Sequence, residues 1–146
     1  MAGVYASRGL SALVFRGANT GLDELTTTDA NQVWLVSGGA VVETAFDARE
    51  SLGMASSSIE DLAGGEAAEN AAAARDVLSG GGADAVRDAV ALNVGAGILA
   101  WEGLENPVTH SDFEPRMRGA VERALAALAD GSGARLIERW VAASNA

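Results

Sequence analysis

The chain has 146 residues, of which 49% are hydrophobic and 21% are charged, a composition that predicts one folded domain rather than a disordered segment. Its formal net charge is −10 and its pI is about 4.4. This acidity argues against a nucleic-acid partner, because phosphate backbones are bound through an excess of lysine and arginine. The sequence has no cysteine, which excludes disulfides and thiolate metal sites.

The sequence shows no stretch with the character of a membrane span. Its most apolar run, residues 89–101, is interrupted by Asn93 and is shorter than the roughly 20 residues that a bilayer requires. No signal peptide is visible at the start of the chain. We therefore expect a soluble cytoplasmic protein without a membrane partner.

The first feature in chain order is an apolar run, residues 11–15, followed by a glycine-rich loop over residues 16–25. The run predicts a strand, which places the adjacent carboxylates of Asp23 and Glu24 in the loop where that strand ends. Ligands of open α/β sheets gather at such positions. Mg²⁺ prefers one or two carboxylates with waters and phosphate oxygens, so the pair is a candidate magnesium and phosphate anchor. The alternative is a merely solvated acidic pair, which is the commoner case.

A hairpin is predicted next. Two β-rich runs, residues 33–36 and 40–46, flank the short glycine turn at residues 37–39. Trp34 lies in the first run. A stacking contact with an aromatic substrate is conceivable, but a tryptophan in such a run is more often a core or sheet-face residue. We interpret Trp34 as structural.

Helices are predicted beyond the hairpin. The segment from Asp47 to Ser58 has no sustained period and is expected to be irregular, with Ser58 capping a short helical turn. A helix then starts after Gly64-Gly65. A glycine pair before a helix can cradle phosphate, but Glu66 and Glu69 lie where the anion would bind, which favours a simple helix entry.

Two asparagines and two glycines stand out on the predicted helices. Asn70 is expected to bond to a neighbouring loop, and Asn93 to make a structural hydrogen bond within an apolar setting. The longest helix, predicted over residues 84–104, has apolar residues on two faces and should be buried on most sides. Gly95 and Gly97 inside it indicate that another backbone packs closely there.

The last third begins with a linker near residues 105–111, which contains the only histidine, His110. No serine or cysteine nucleophile motif surrounds it, so we expect no catalytic role for His110 and identify no catalytic residue elsewhere. Asp112 is predicted to cap a helix that ends at Gly131, and a final helix follows from about Ala134. No particular substrate-binding residue can be named.

Several segments, taken in order, resemble the C-terminal part of the anthranilate phosphoribosyltransferase family. They are Gly21–Leu25, Phe46–Asp47 with Leu52–Gly53, Leu62–Glu66 with Asn70–Ala71, Val77–Gly80 with Arg87–Asn93, and Asp130–Ala134 before Leu136. The resemblance covers nearly the whole chain, so residues 1–146 are expected to form one C-terminal part of an α/β domain. The implied fold is a fragment of the nucleoside phosphorylase/phosphoribosyltransferase-like domain, with a small sheet of one strand plus a hairpin packed with four to five helices.

The resemblance also implies a function. The family transfers the phosphoribosyl group from phosphoribosyl pyrophosphate to anthranilate in tryptophan biosynthesis, and the complete enzymes are homodimers. By this resemblance Mg²⁺ is the cofactor, and Asp23 and Glu24 are its ligands. We therefore expect Mg²⁺, phosphoribosyl pyrophosphate and anthranilate to bind to a complete enzyme of this family.

The chain also departs from the family pattern. The family's N-terminal helical domain, its Gly-Thr-Gly-Gly-Asp loop and its Lys-His-Gly-Asn segment are absent, and Met1–Arg8 resembles the end of a helix from the middle of the complete chain. Three residues, Ala18–Thr20, stand where the family usually has two. We therefore predict a fragment that is inactive in isolation.

Two alternatives stay open, a non-catalytic remnant and a pyrimidine nucleoside phosphorylase-like relative. The Gly-Leu-Asp-Glu sequence favours the transferase over the phosphorylase. The missing motifs favour the remnant for the isolated chain.

Overall fold

The computed structural model describes residues 1–145 and contains a three-stranded antiparallel sheet in the order β1-β2-β3. The strands are β1 (Ala12–Gly17), β2 (Asn31–Ser37) and β3 (Ala40–Phe46). The helices are α1 (Ala2–Ser7), α2 (Ala48–Leu52), α3 (Ala67–Leu78), α4 (Asp84–Glu102), α5 (Phe113–Ala129) and α6 (Ser132–Ser144), with a 3₁₀ turn at Glu60–Leu62. The α/β class and the sheet of one strand plus a hairpin are confirmed. In the described part of the chain, no helix combines the length and the apolar character needed to cross a bilayer.

The hairpin of β2 and β3 lies where the sequence predicts it. Ser37 pairs with Ala40 across the two-residue turn Gly38-Gly39, whose φ angles are +57° and +78°. Positive φ at both positions defines a turn whose twist matches the flanking strands, and glycine adopts it without steric cost. Trp34 is half-buried on the sheet, and its Nε1 donates to Glu43 at 3.1 Å. Trp34 is therefore a sheet residue, as predicted.

The core forms where α4 and α5 pack along each other and against the sheet. Leu92 and Leu99 of α4 and Met117 of α5 are fully buried. Phe46 of β3 meets Phe113 of α5 edge to face, with ring centroids 5.5 Å apart. Each such buried side chain contributes about 1.5–3 kcal/mol. Phe113, Met117 and Val121 of α5 all lie in this core, so one apolar face holds the helix in place.

The two glycines of α4 differ in their surroundings. A Cβ atom at Gly95 would lie 2.7 Å from Cγ2 and 3.1 Å from the backbone nitrogen of Val121, which confirms the predicted close approach of a second backbone. A Cβ atom added at Gly97 would have no atom of another element within 4 Å, so the prediction of a close backbone is wrong at Gly97. Val94 and Trp101 are 45% and 75% exposed. One side of α4 is therefore open, because no described element packs on it, whereas the sequence predicted burial on most sides.

Two local predictions fail because side chains form different caps. The segment predicted to be irregular contains α2, whose first turn is capped by Asp47 accepting from the Arg49 backbone N–H at 2.9 Å and which ends at Gly53 with φ +73°. With α1 and α2 the helices number six in the described residues. Asp112 precedes α5, but its carboxylate accepts from the Thr109 backbone N–H at 2.7 Å. It thus closes the preceding loop instead of capping the helix.

Candidate functional site

Asp23 and Glu24 lie in the loop of residues 18–30 that leaves β1 and leads to β2. Both side chains are exposed, and neither belongs to an ion pair within residues 1–145. Their carboxylate oxygens are therefore accessible to a cation. The position at the end of a strand is the predicted one, while the metal-binding role stays a prediction.

The backbone next to this pair is fixed to the longest helix. Leu25 is 1% exposed, and the Asn93 carboxamide of α4 accepts from its N–H at 3.2 Å and donates to its C=O at 2.9 Å. Asn93 Nδ2 also donates to the Ala89 carbonyl at 2.8 Å. The structural hydrogen bonding predicted for Asn93 is confirmed. Because Leu25 directly follows Glu24, the backbone beside the carboxylate pair is anchored to α4 and to the core.

The other end of the loop is held by two buried polar side chains. The Asp29 carboxylate, 9% exposed, accepts from the backbone N–H groups of Asn19 and Thr20 at 2.6 and 3.0 Å. Asn31 is fully buried, accepts from the Thr26 N–H at 3.2 Å and donates to its C=O at 3.0 Å. The sequence analysis made no prediction for Asp29 and Asn31 and so missed their burial. The available signal was a polar run leading directly into an apolar strand.

A cavity of about 450 Å³ opens beside Glu24 and has the size of a small-molecule site. Most of its lining is apolar, and its polar lining residues are Glu24, Thr26 and Asn93. The apolar residues are Leu22, Ile59, Leu62, Ala63, Val86, Ala89 and Val90. In the 3₁₀ turn next to the cavity, hydrogen bonds from the backbone N–H and hydroxyl of Ser58 hold the pKa of Asp61 below its usual value. The site is thus apolar with negative charge nearby.

The glycine pair before α3 is not a phosphate cradle. The Gly65 N–H donates to Asn70 Oδ1 at 2.8 Å, and the Glu66 N–H donates to Glu69 Oε2 at 2.8 Å. These are the amides that an anion would need, and both already have acceptors. Asn70 Nδ2 returns a bond to the Gly65 carbonyl at 2.8 Å. The predicted simple helix entry and the loop-bonding role of Asn70 are both confirmed.

The carboxylates of Asp23 and Glu24 can supply part of the coordination shell of a Mg²⁺ ion. No group of three or more histidine, aspartate or glutamate side chains in residues 1–145 is arranged to hold a metal ion. Mg²⁺ needs no such group, because it keeps several waters and takes one or two carboxylates together with phosphate oxygens. Two accessible carboxylates therefore fit a Mg²⁺ ion that is shared with a phosphorylated substrate. His110, exposed in the loop between α4 and α5, is not among the residues of this site.

Comparison with known proteins defines the class. The sequence model described as "Glycosyl transferase family, a/b domain" matches residues 1–134, and the chain belongs to this family. Within the family, anthranilate phosphoribosyltransferases are among the relatives that it resembles. That of Arthrobacter sp. (strain FB24) is 46% identical over 142 residues, which cover 97% of this chain and 38% of that protein. That of Nocardia farcinica is 45% identical over 99% of this chain and 41% of that protein.

A solved structure agrees with the sequence matches. The crystal structure of anthranilate phosphoribosyltransferase from Thermus thermophilus superposes with a TM-score of 0.75 at 35% identity, covering 93% of this chain and 36% of that one. The fold implied by the sequence resemblance is therefore confirmed. The chain spans about two fifths of the length of the relatives that it matches.

Proposed function

We propose that residues 1–146 are part of an anthranilate phosphoribosyltransferase, which moves the phosphoribosyl group of phosphoribosyl pyrophosphate onto anthranilate. The observation that carries the proposal is the 46% identity to the Arthrobacter sp. relative over nearly the whole chain. The relatives reported above are transferases, which favours this function over that of a nucleoside phosphorylase. The pathway is then tryptophan biosynthesis.

We further propose that Asp23 and Glu24 bind Mg²⁺. When bound, the cation neutralises the pyrophosphate leaving group. The chain's own contribution is to hold the two carboxylates in place, through the bonds of Asn93 to Leu25 and of Asp29 to the start of the loop. Positioning and electrostatic stabilisation need no protein nucleophile, which agrees with a site that contains none.

The location and assembly of the protein are also proposals. We place it in the cytoplasm, which agrees with an acidic chain of net charge −10 that resembles biosynthetic enzymes. A homodimer is proposed for the complete enzyme on the family resemblance. Light scattering of a chimera in which residues 1–146 replace the matched segment of the Arthrobacter sp. relative tests the dimer.

A second candidate applies to residues 1–146 by themselves. They match 38% and 41% of two relatives and lack the glycine-rich loop and the lysine-containing segment that hold phosphoribosyl pyrophosphate in the family. We propose that these residues alone fold without turning substrate over. Turnover then requires the part of the relatives that they do not match.

The chimera also tests the metal assignment. Asp23→Asn with Glu24→Gln keeps the shapes of the side chains and removes their charges, so Mg²⁺-dependent turnover should fall by about 100-fold or more, as when a charge-stabilising group is lost. Glu105→Gln with Glu138→Gln removes two exposed charges elsewhere and should leave turnover unchanged. Equal Mg²⁺ dependence in both double variants, at equal melting temperature, would rule out the metal site.

A further inference from the structure

A second cavity, of about 310 Å³, lies between the end of α2, the start of α4 and the middle of α5. It shares no lining residue with the cavity beside Glu24. Its volume is at the lower end of the range for small-molecule sites. The cavity is therefore a candidate site for a small ligand, separate from the proposed metal loop.

The apolar part of the lining belongs to the packed core. It consists of Leu52, Met54, Val121 and Leu125. Val121 is 3% exposed, and the other three are partly buried and pack against the core. Such a surface binds the apolar part of a ligand by removing it from water.

Two of the four charged lining residues already compensate each other. Arg87 donates from Nε and Nη2 to Asp88 Oδ1 at 3.3 and 3.0 Å. Its Nη1 donates to Asp84 at 2.6 Å. Asp88 is 9% exposed, so this pair lies at the inner side of the lining. The charges of Arg87 and Asp88 are thus balanced within the chain and need no ligand.

The other two charged residues of the lining, Arg118 and Glu122, belong to no ion pair within residues 1–145. They are four positions apart on α5, a spacing at which opposite charges commonly pair. Arg118 Nη2 instead donates to the carbonyl of Ser51 in the last turn of α2. An unpaired cation and an unpaired anion therefore line the same cavity beside an apolar surface.

This combination matches a ligand that carries both charges next to an apolar group. The guanidinium of Arg118 presents a planar fork of donors that suits a carboxylate, and the carboxylate of Glu122 accepts from an ammonium group. A ligand with only one of these charges would leave the other residue unpaired. The net charge of −10 also repels simple anions, whereas a zwitterion carries no net charge. An α-amino acid with an apolar side chain contains all three groups.

We propose that this cavity binds an α-amino acid with an apolar side chain, whose carboxylate pairs with Arg118 and whose ammonium group pairs with Glu122. The apolar side chain then lies against Met54 and Leu125. The proposal goes beyond the proposed function, because it assigns a second site that contains no residue of the metal loop. It requires neither Mg²⁺ nor turnover.

Methionine NMR of the 146-residue chain tests where the ligand binds. The sequence has three methionines, of which Met54 lines the cavity, Met117 is fully buried in the core and Met1 is 80% exposed. L-phenylalanine is the probe, because its ring shifts the resonances of nearby methyl groups. It should move the ¹³C-methyl signal of Met54 in a saturable manner and move the other two much less. A Met54 signal that stays in place at about 10 mM probe, or equal movement of all three signals, would overturn the proposal.

Two analogues test the need for both charges. Phenethylamine lacks the carboxylate, and 3-phenylpropanoate lacks the ammonium group, while both keep the ring. Each should bind at least about tenfold more weakly than L-phenylalanine, because one charge-assisted pair is lost. Glycine, which keeps both charges and lacks the apolar side chain, should also bind more weakly. Equal affinity of any of the three for the cavity would contradict an apolar amino acid as the ligand.

Charge-removing variants connect each group of the ligand to its residue. Arg118→Gln should weaken L-phenylalanine binding at least about tenfold and leave phenethylamine binding unchanged, because the amine has no carboxylate. Glu122→Gln should weaken L-phenylalanine binding as strongly and should not weaken that of 3-phenylpropanoate. Glu105→Gln with Arg139→Gln removes two exposed charges elsewhere and serves as the control. Equal affinity for L-phenylalanine in all variants, at equal melting temperature, would contradict the assignment. None of these measurements depends on activity, so they fail or succeed separately from the metal assignment.

Discussion

The Asn93 side chain closes a pair of hydrogen bonds with the backbone of Leu25, a residue 68 positions earlier in the chain. Its Oδ1 accepts from the Leu25 N–H at 3.2 Å and its Nδ2 donates to the Leu25 C=O at 2.9 Å. Leu25 is buried in the core and directly follows Glu24. The longest helix and the proposed metal loop are thereby joined through one carboxamide.

Replacement of this side chain should destabilise the fold. In Asn93→Ala, the N–H and C=O of Leu25 lose their partners in a buried setting, which costs about 1–3 kcal/mol in the free energy of unfolding. Urea denaturation measures the loss. Asn70→Ala is the matched control, because Asn70 makes the same pair of bonds with Gly65 on an exposed surface where water replaces them. Equal losses of unfolding free energy in the two variants would contradict the prediction that the buried bonds to Leu25 stabilise the fold more than the exposed bonds to Gly65.

Asp47 should make stability depend on pH in acid. Hydrogen bonds from the Arg49 side chain and backbone hold the pKa of Asp47 below the 3.8 of the free side chain. Because the folded-state pKa is the lower one, the charge stabilises the fold above about pH 4, and this contribution disappears as the pH falls through the folded-state pKa. Asp47→Asn keeps an acceptor for the helix cap but does not titrate. The difference in unfolding free energy between the native chain and Asp47→Asn should be largest near neutral pH and shrink below pH 4. A constant difference across that range would contradict the assignment.

Residues 1–146 alone should not transfer the phosphoribosyl group to anthranilate, even with excess Mg²⁺. Holding two reactants in register can supply roughly 7–11 kcal/mol of the barrier, and this chain matches less than half of the relatives' length. Loss of anthranilate fluorescence is the measurement, with the chimera as the positive control. Turnover that requires phosphoribosyl pyrophosphate, by protein free of host enzyme, would show that these residues suffice.

Local patterns predicted the parts of the fold that local chemistry decides. The glycine pair at residues 38–39 specifies the hairpin turn, and helical spacing of apolar residues specifies α4 and α5. The five-residue helix α2 was not predicted, because it is too short to show a helical period of apolar residues and depends on the caps at Asp47 and Gly53. Local sequence also predicted part of the candidate site. Strand order along the chain was enough to place Asp23 and Glu24 at the end of β1.

Contacts between distant parts of the chain could not be predicted in this way. Asp29 lies in the loop before β2 and Asn31 is the first residue of β2, and only the packed structure shows that these polar residues are buried with satisfied hydrogen bonds. The exposure of Val94 and Trp101 was missed for the opposite reason. An apolar stripe indicates that a helix face favours a neighbour, but it does not indicate whether the chain contains that neighbour.

Replacement of the two glycines of α4 by alanine should change the stability of the fold in opposite directions. Alanine at Gly95 would bring its Cβ within 3.1 Å of the Val121 backbone nitrogen, and the resulting overpacking costs about 1–3 kcal/mol, more than the gain of up to about 1 kcal/mol in helix propensity. At Gly97 nothing lies within 4 Å, so only the propensity gain applies. In thermal and urea unfolding of residues 1–146, Gly95→Ala should therefore be less stable than the native chain, and Gly97→Ala more stable by up to about 1 kcal/mol. A stabilising Gly95→Ala would mean that α4 and α5 can move apart without cost. A destabilising Gly97→Ala would place a close neighbour on the face of α4 that the structure leaves open.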